Sequence, residues 1–552
     1  MSDLIPQEEN VPVIDEPTNF TDNNTKLDVK DVATTEESNK LRKVSGRVPI
    51  AAWFIIICEL CERFTYYGVS GPFQNYIQFP PPAEQDGQPG AIGAGQQVAT
   101  ALNLFFQFFC FITSIFGAIL ADQYIGRYNT ILMFCCVYMV GLVILTLTAI
   151  PAAIAAKASF PGLIIAMVII GLGTGGIKCN VSPMAAEQNT NTKPYVKTLK
   201  SGEKVVVDPE LTTQSIFHWF YLAINIGGLS PIITTNIEKY HSFWLAYLIP
   251  LLMFCFAILV LLTGKNKLIK KPPSGSALLN CFRVIRVAIS HDRSLENAKP
   301  SNMTADDKVK KRVTWDDDFV DQVRLGLQTI RVFLFFPIYW VCYSQMFNNL
   351  ISQAATMQVD GVPNDVMNNL DTIVLVIFTP LANYVLYPLL LRCGISLRPI
   401  TKIFIGFMLA CLAMIYAAVL QYFVYHTSPC YSQTLCLIND VPTPNNINVW
   451  WQSPAYILIG LSEVFAVITG LNYAYSKAPE ALRSSVTAIF LLTNAFGSLL
   501  GFMFIPLTKD PDLVYLYITL SILVFITGLL LLYFLGGHDD MGEAENQKVD
   551  KI

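Results

Sequence analysis

An apolar stretch near the start of the chain carries the run ELCERFTYYG, residues 59–68. Glu59, Glu62 and Arg63 stand at i, i+3 and i+4, the spacing that puts three side chains on one helical face. Tyr66, Tyr67 and Ser70 continue that face. Three more ionisable residues interrupt apolar runs: Lys178 within GLGTGGIKCNVS, Glu463 within ILIGLSEVFAVITG, and Asp371 near one end of a further run. A charge near the middle of a bilayer costs about 2.5–3.5 kcal/mol on insertion scales, so it persists where a partner or a water-filled cavity receives it. Such a set can exchange protons. A cation beside a buried carboxylate keeps it ionised, and drawing that cation toward a solute's own carboxylate leaves the acid ready to take a proton. The same residues admit a plainer reading, in which Glu62–Arg63 and Lys178–Glu463 are buried pairs that only fix helix packing. The first cluster has two acids to one base, so a simple pair leaves a surplus carboxylate.

The elements that must hold these residues follow from composition. The 552 residues are 53% hydrophobic and 14% charged, against about 25% charged in a soluble domain. A helix needs about 20 mostly apolar residues to cross the hydrocarbon core, and helices are the spanning structure such runs allow. Twelve runs qualify: roughly 50–78, 98–121, 129–151, 161–185, 213–236, 243–264, 325–350, 369–391, 400–426, 450–476, 484–507 and 513–535. The expectation is an all-α polytopic membrane protein with twelve transmembrane helices; six plus six around a basic central connection fit the arrangement of the major facilitator superfamily, its site between the halves near the midplane, and composition alone allows other twelve-span folds as well. The domains expected are a disordered N-terminus over 1–48, a six-helix bundle over 49–264, a central loop over 265–324, a second bundle over 325–536 and a tail over 537–552. Basic residues gather in alternate connections: Arg42, Lys43 and Arg47 before span one, Arg127 after span two, Lys193 and Lys197 after span four, Arg392, Arg398 and Lys402 after span eight, Lys477 and Arg483 after span ten. Segments 79–97 and 427–449 contain no Lys or Arg. This asymmetry puts both termini and the central loop in the cytoplasm.

Other signals carry less. A net charge of -4 suggests no nucleic-acid partner. GLGTGG, residues 171–176, matches a dinucleotide fingerprint literally, but that motif needs a strand before it. Here an apolar helix precedes it, so close helix packing through small residues is expected instead. Cys58 and Cys61 form C-x-x-C on an apolar helix, and the five His have no zinc spacing, so neither a redox nor a metal site is expected. No nucleophile–base constellation or P-loop appears, which argues against an enzyme. Cys430 and Cys436 share the connection before span ten; a disulfide or two thiols are both open.

Several motifs, taken in order, resemble the proton-dependent oligopeptide transporter family, and its fungal branch in particular. They are ELCERFTYYG (59–68), GAILADQYIGRYNTI (117–131), FYLAINIGGL (220–229), PIYWVCYSQMFNNLISQA (337–354) and SPAYILIGLSEVFAVITGLNYAYSKAPEALRS (453–484). The resemblance implies a proton-coupled symporter that imports di- and tripeptides across the plasma membrane by alternating access, as a functional monomer, with protons as coupling ion and no cofactor. Glu59, Glu62 and Arg63 match the family's coupling cluster. Lys178 and Glu463 match a pair that rearranges during transport, with Glu463 toward the peptide's amino end. Tyr67, Asn225 and Trp340 match pocket positions; Tyr66, Gln345 and Asp371 are further candidates. The chain departs from the pattern at Ser344, where many relatives carry an acid before the Gln, at Cys179, where Pro is common, and at Asp371, often Asn. Two alternatives stay open: a carrier of another small solute such as nitrate, and a peptide-binding nutrient receptor with little transport.

Overall fold

The computed structural model describes residues 40–82, 88–191, 193–199, 202–273, 275–290, 294–304, 313–394, 397–432, 436–438, 441–479 and 482–536, with positions 33, 34 and 37. The expected tail over 537–552 lies outside these. Eleven helices among the described residues are long and apolar enough to cross a membrane. They are α2 (Gln96–Ile125), α3 (Arg127–Thr148), α4 (Ser159–Glu187), α5 (Pro209–Tyr240), α6 (Phe243–Gly264), α7 (Asp317–Ala355), α8 (Val366–Arg392), α9 (Pro399–Tyr425), α10 (Val449–Lys477), α11 (Ser485–Leu507) and α12 (Leu513–Leu535). The twelfth expected span, α1 (Ile50–Ser70), is one 21-residue helix. It is set apart from the others by Glu59, Glu62 and Arg63.

Two large cores gather these helices, with a small third cluster at Leu375, Ala382 and Val464. One gathers buried residues from Ala52 to Leu268, the other from Cys281 to Leu531. Boundaries differ where turns are irregular. The fifth span runs four residues further at each end than 213–236 and is interrupted at Leu229, between Gly228 and Ser230. The seventh begins at Asp317, outside the expected 325–350, and tightens into 3-10 turns at Arg331–Phe335 and Gln345–Phe347. The central connection is not all loop. Ala277–Ser290 forms an amphipathic helix with Leu278, Cys281, Val284, Val287 and Ala288 buried, and Cys281, Val284 and Val287 join the second core.

The described residues up to Arg47, with those of 191–212, cluster as a unit of their own. Within it β1 (Lys43–Ser45), β2 (Tyr195–Thr198) and β3 (Lys204–Asp208) form a sheet in the order β1-β3-β2, parallel for β1 with β3 and antiparallel for β2 with β3. The disorder expected through residue 48 therefore does not extend to Lys43–Ser45.

The small residues of GLGTGG are spent on helix contact. A Cβ on Gly173 would lie 2.5 Å from Tyr138 Cβ, one on Gly175 2.0 Å from Thr113 Oγ1, and one on Gly176 2.1 Å from the Phe134 ring. These glycines let α4 touch α2 and α3, where atom-to-atom contact is what holds helices together in lipid. Cys430 and Cys436 are joined by a disulfide.

The bonds that join the two halves cluster where α1 ends. Gln74 Nε2 donates to Ser352 Oγ at 3.1 Å, and Ser352 Oγ donates to Gln78 Oε1. Asn75 and Asn364 exchange amide bonds at 2.9 Å in both directions, and Gln96 Nε2 donates to Asn349 Oδ1 at 3.0 Å. All of these side chains are buried.

Overpacking a close helix contact costs about 1–3 kcal/mol, whereas Gly to Ala at an open helical site gains about 0.5–1 kcal/mol. Gly175→Ala should therefore lower the thermal midpoint in detergent. Gly326→Ala in α7, whose Cβ would meet nothing nearer than Leu482 Cδ1 at 3.4 Å, should leave it unchanged or raise it. Equal effects at both sites would contradict the packing described.

Candidate functional site

Two polar sites lie inside unit 48–190 plus 213–552, one within the first half and one between the halves. The first is built on α1. Glu59, Glu62 and Arg63 are buried at 4%, 1% and 4% exposure, so the face predicted from their spacing turns inward. Arg63 Nε lies 3.2 Å from Glu59 Oε1, and the guanidinium also pairs with the Glu62 carboxylate. Thr174 Oγ1 on α4 donates to Glu62 Oε1 at 2.7 Å. Glu59 Oε2 is buried and accepts no hydrogen bond.

The first half closes around this cluster because of a glycine. A Cβ on Gly227 would stand 2.7 Å from Arg63 Cβ and 2.9 Å from Leu60 O. Gly227, within the motif FYLAINIGGL, thus lets α5 lie directly against the charged turn of α1.

Lys178 stands one helical turn beyond Thr174. Its Nζ is 3.7 Å from the centre of the Phe111 ring and 5.9 Å from that of Tyr66, and it interacts electrostatically with Arg63, Glu62 and Glu59. A cation over an aromatic face is attracted by the ring's quadrupole. Tyr66 also faces Arg63, with Cζ 5.3 Å from its ring centre, and stacks on Phe106. The surplus carboxylate of the sequence is thus balanced from α4: two acids and two bases share one neutral cluster. The sequence pairs Lys178 with Glu463 across the halves, but in this conformation its ammonium lies over Phe111 and interacts with Arg63, Glu62 and Glu59 of α1.

The second site is a cavity between the halves. Tyr67, Tyr221 and Asn225 line it from α1 and α5, and Tyr343, Asp371 and Glu463 from α7, α8 and α10. Asn225 Nδ2 donates to Tyr221 O at 2.8 Å. The Tyr343 side chain faces the Glu463 carboxylate, and Glu463 Oε2 is buried with no donor. Asp371 is 3% exposed, so it is not at a wet interface as its place near the end of a span suggests. It faces Glu463 closely enough for the two charges to interact. Gly460 makes room for it, since a Cβ there would lie 3.0 Å from Asp371 Oδ1. A π-helical turn at Val464–Ile468 follows Glu463 directly, a distortion common at functional positions. Tyr67 bridges the sites, feeling Arg63 on one side and Glu463 and Asp371 on the other. Two carboxylates in one cavity, flanked by phenols and an amide, suit a cationic solute group with hydrogen-bonding capacity.

The structure thus brings Tyr67, Asn225, Asp371 and Glu463 together, and separately Glu59, Glu62, Arg63, Tyr66 and Lys178. It does not place Trp340 or Gln345 at the cavity. Trp340 donates from Nε1 to Thr493 Oγ1 at 2.8 Å and packs where a Cβ on Gly497 would fall 2.4 Å away. Gln345 donates to Val341 O and accepts from Asn349, both within α7. Ser344 Oγ donates to Val341 O, so α7 sends no charge to Arg63 from this position. Sequence reasoning missed Thr174, Tyr221 and Tyr343. Tyr343 was within reach, lying three residues beyond Trp340 on the same helix; Thr174 was hidden inside the glycine run.

Relatives and solved structures agree with this architecture. The profile of the POT family, PTR2, matches residues 128–522. The chain is 44% identical over 515 residues to the peptide transporter PTR_A of Candidozyma auris, covering 93% of this chain and 86% of that protein. It is 42% identical over 513 residues to the peptide transporter PTR2 of Saccharomyces cerevisiae, covering 93% and 83%. In three dimensions it is similar to an auto-inhibited POT family peptide transporter, with a TM-score of 0.68 at 20% identity over 88% of this chain and 96% of that one. With the motifs in order, eleven apolar helices and α1 among the described residues, and a family profile spanning most of the sequence, the chain belongs to the POT family of membrane transporters.

Proposed function

We propose that this protein imports di- and tripeptides together with protons across the plasma membrane, as a monomer with both termini in the cytoplasm, the ends of α1 and α7 facing outward. The observation that carries the substrate assignment is the pair Glu463 and Asp371 in a cavity between the halves. A peptide's amino terminus is a cation that a buried carboxylate holds strongly, because charge-assisted hydrogen bonds are the strong ones. The phenols of Tyr67, Tyr221 and Tyr343 and the amide of Asn225 fit the peptide backbone. An anion such as nitrate meets two like charges there. Asp371 gives the cavity a further acid, which favours peptides with a basic side chain.

Protons couple through the α1 cluster. Arg63 is shared between Glu59 and Glu62, and Lys178 stands over Phe111 without a carboxylate pressed against it. A peptide carboxylate drawing either cation toward the cavity leaves an acid to be neutralised by a proton, and alternating access delivers both to the other side. A potential of about 100 mV supplies about 2.3 kcal/mol per proton and one pH unit about 1.4 kcal/mol. The sum sustains roughly 500-fold accumulation of a neutral solute.

Uptake of labelled dipeptide should rise as external pH falls from about 7 to about 5 and collapse with a protonophore, since each pH unit adds a fixed driving energy. Glu62→Gln should lose uphill accumulation yet keep counterflow exchange. Accumulation surviving in that variant would remove Glu62 from the coupling step. Glu463→Gln should weaken binding of free-amine dipeptides roughly 10–100-fold, the worth of a charge-assisted bond, and leave N-acetylated ones little changed; equal losses would assign Glu463 a packing role. A double-mutant cycle on detergent stability should give Lys178 a coupling of about 0.5–3 kcal/mol with Glu59. The same cycle with Glu463 should give almost none in this conformation, and the reverse ranking would restore the cross-half pair.

A further inference from the structure

Beneath the amide seam that joins the halves lie two acids that the coupling cluster does not use. Glu238 ends α5, in the first half. Asp365 precedes α8, in the second. They are 4% and 0% exposed and lie within hydrogen-bond contact of each other. Glu238 Oε1 accepts from Asn75 Nδ2 at 2.9 Å. The other three oxygens, Glu238 Oε2 and both of Asp365, accept no well-formed hydrogen bond.

A carboxylate has acceptors only. Two carboxylates in contact leave buried acceptors facing one another and two like charges together, which forces one of them to stay protonated. The groups around them do not remove the need. Lys239 acts on Asp365 as a charge, and its Nζ donates to Val362 O at 3.0 Å. Tyr247 of α6 and Tyr456 of α10 face the pair as neutral phenols. Glu238, Asp365 and Lys239 sum to one negative charge, and a single added proton brings the group to zero. Burial lifts the Asp365 carboxyl above the ordinary carboxylate range.

The site sits at a joint. Asn364 exchanges amide bonds with Asn75 and receives a third from Gln88 Nε2 at 3.1 Å. Tyr240 OH donates to Gly361 O. Segment 361–365 of the second half is therefore clamped to the end of α5 and the short helix Phe73–Gln78 of the first. We infer that Glu238 and Asp365 together hold one proton that keeps the outward-facing seam closed, a proton-binding site separate from the α1 cluster. When the seam parts, the proton between the two carboxyls passes to external water, and each acid ionises alone. Closed and open seams then differ by one bound proton. Opening is favoured tenfold for each pH unit gained outside, until the closed pair itself ionises.

This inference rests on the alternating access proposed above, and its test reads opening without reading uptake. Thr100, 2% exposed at the seam with Oγ1 3.4 Å from Asn349 Oδ1, is changed to Cys in the full-length chain in intact cells. A membrane-impermeant maleimide is applied outside at about pH 5.5 and about pH 8, values that span the range between an ordinary carboxyl and a shared proton. Modification of that peptide is measured by mass spectrometry and divided by its rate in the denatured protein at the same pH, which removes the thiol's own titration. The normalised rate should rise at least about tenfold between the two values. With Glu238→Gln added, an amide donor replaces the shared proton, and the rate should stay low and flat; Asp365→Asn serves the same purpose if the first variant does not reach the surface. A flat rate with both acids present overturns the inference, as does an unchanged rise in either variant. Loss of uptake with the labelling pattern intact would instead count against the transport reading.

Discussion

Arg63 is held between Glu59 and Glu62 with almost no access to water, and ions taken out of water cost several kcal/mol each unless partners of opposite sign hold them in good geometry. Much of the first half is arranged around that requirement. Gly227 brings α5 against the charged turn, Thr174 supplies a hydroxyl to Glu62, and Lys178 adds the second positive charge from α4. These groups come from α4 and α5 and converge on α1, so the cluster also fixes how those three helices meet. The same balance makes the site responsive. A neutral set of four charges is stable as a whole, yet any displacement of one cation leaves a carboxylate that water or a proton must satisfy.

The two halves join on a different principle. Asn, Gln and Ser side chains make the seam, through bonds of about equal strength that cost little to exchange for water, since a neutral hydrogen bond contributes only about 0.5–1.5 kcal/mol net. A seam of ion pairs would hold harder and reopen with more difficulty. The neutral amides suit a joint that must part and close many times, and the two acids beneath them supply what amides lack, a dependence on the surrounding solution.

Much of the fold was legible because lipid imposes a simple rule on sequence: runs of about 20 apolar residues are helices. The grouping of spans into two halves, the packing use of GLGTGG and the inward face of Glu59, Glu62 and Arg63 all followed from period and composition. What was not legible depended on long-range placement. Lys178 and Glu463 lie 285 positions apart in the chain, and no spacing rule says whether they meet; in this conformation Lys178 turns to Phe111 and α1. Trp340 packs its ring on Tyr343, which lines the cavity, yet turns its indole N–H to Thr493, and a period of 3.6 does not tell which aromatic of one face reaches the cavity. The seam was written in the amide-rich stretches FQNYIQ and QMFNNLISQ, but polar residues near span ends read equally well as interfacial.

The central connection has less slack than its length suggests. Leu268 is buried in the first core, Ile269 is bonded through both backbone groups to Gln188, Gly275 N donates to Asp122 O, and Ser276 N donates to Gln123 Oε1. One residue later the chain changes allegiance: Ala277 packs on the second core, and the helix it opens stays there through Cys281, Val284 and Val287. The covalent crossing between the halves is thus a single peptide junction rather than a rope of sixty residues. Any change of angle between the bundles must be taken up at Ser276–Ala277, which makes that junction a pivot and the helix Ala277–Ser290 a crank fixed to the second bundle.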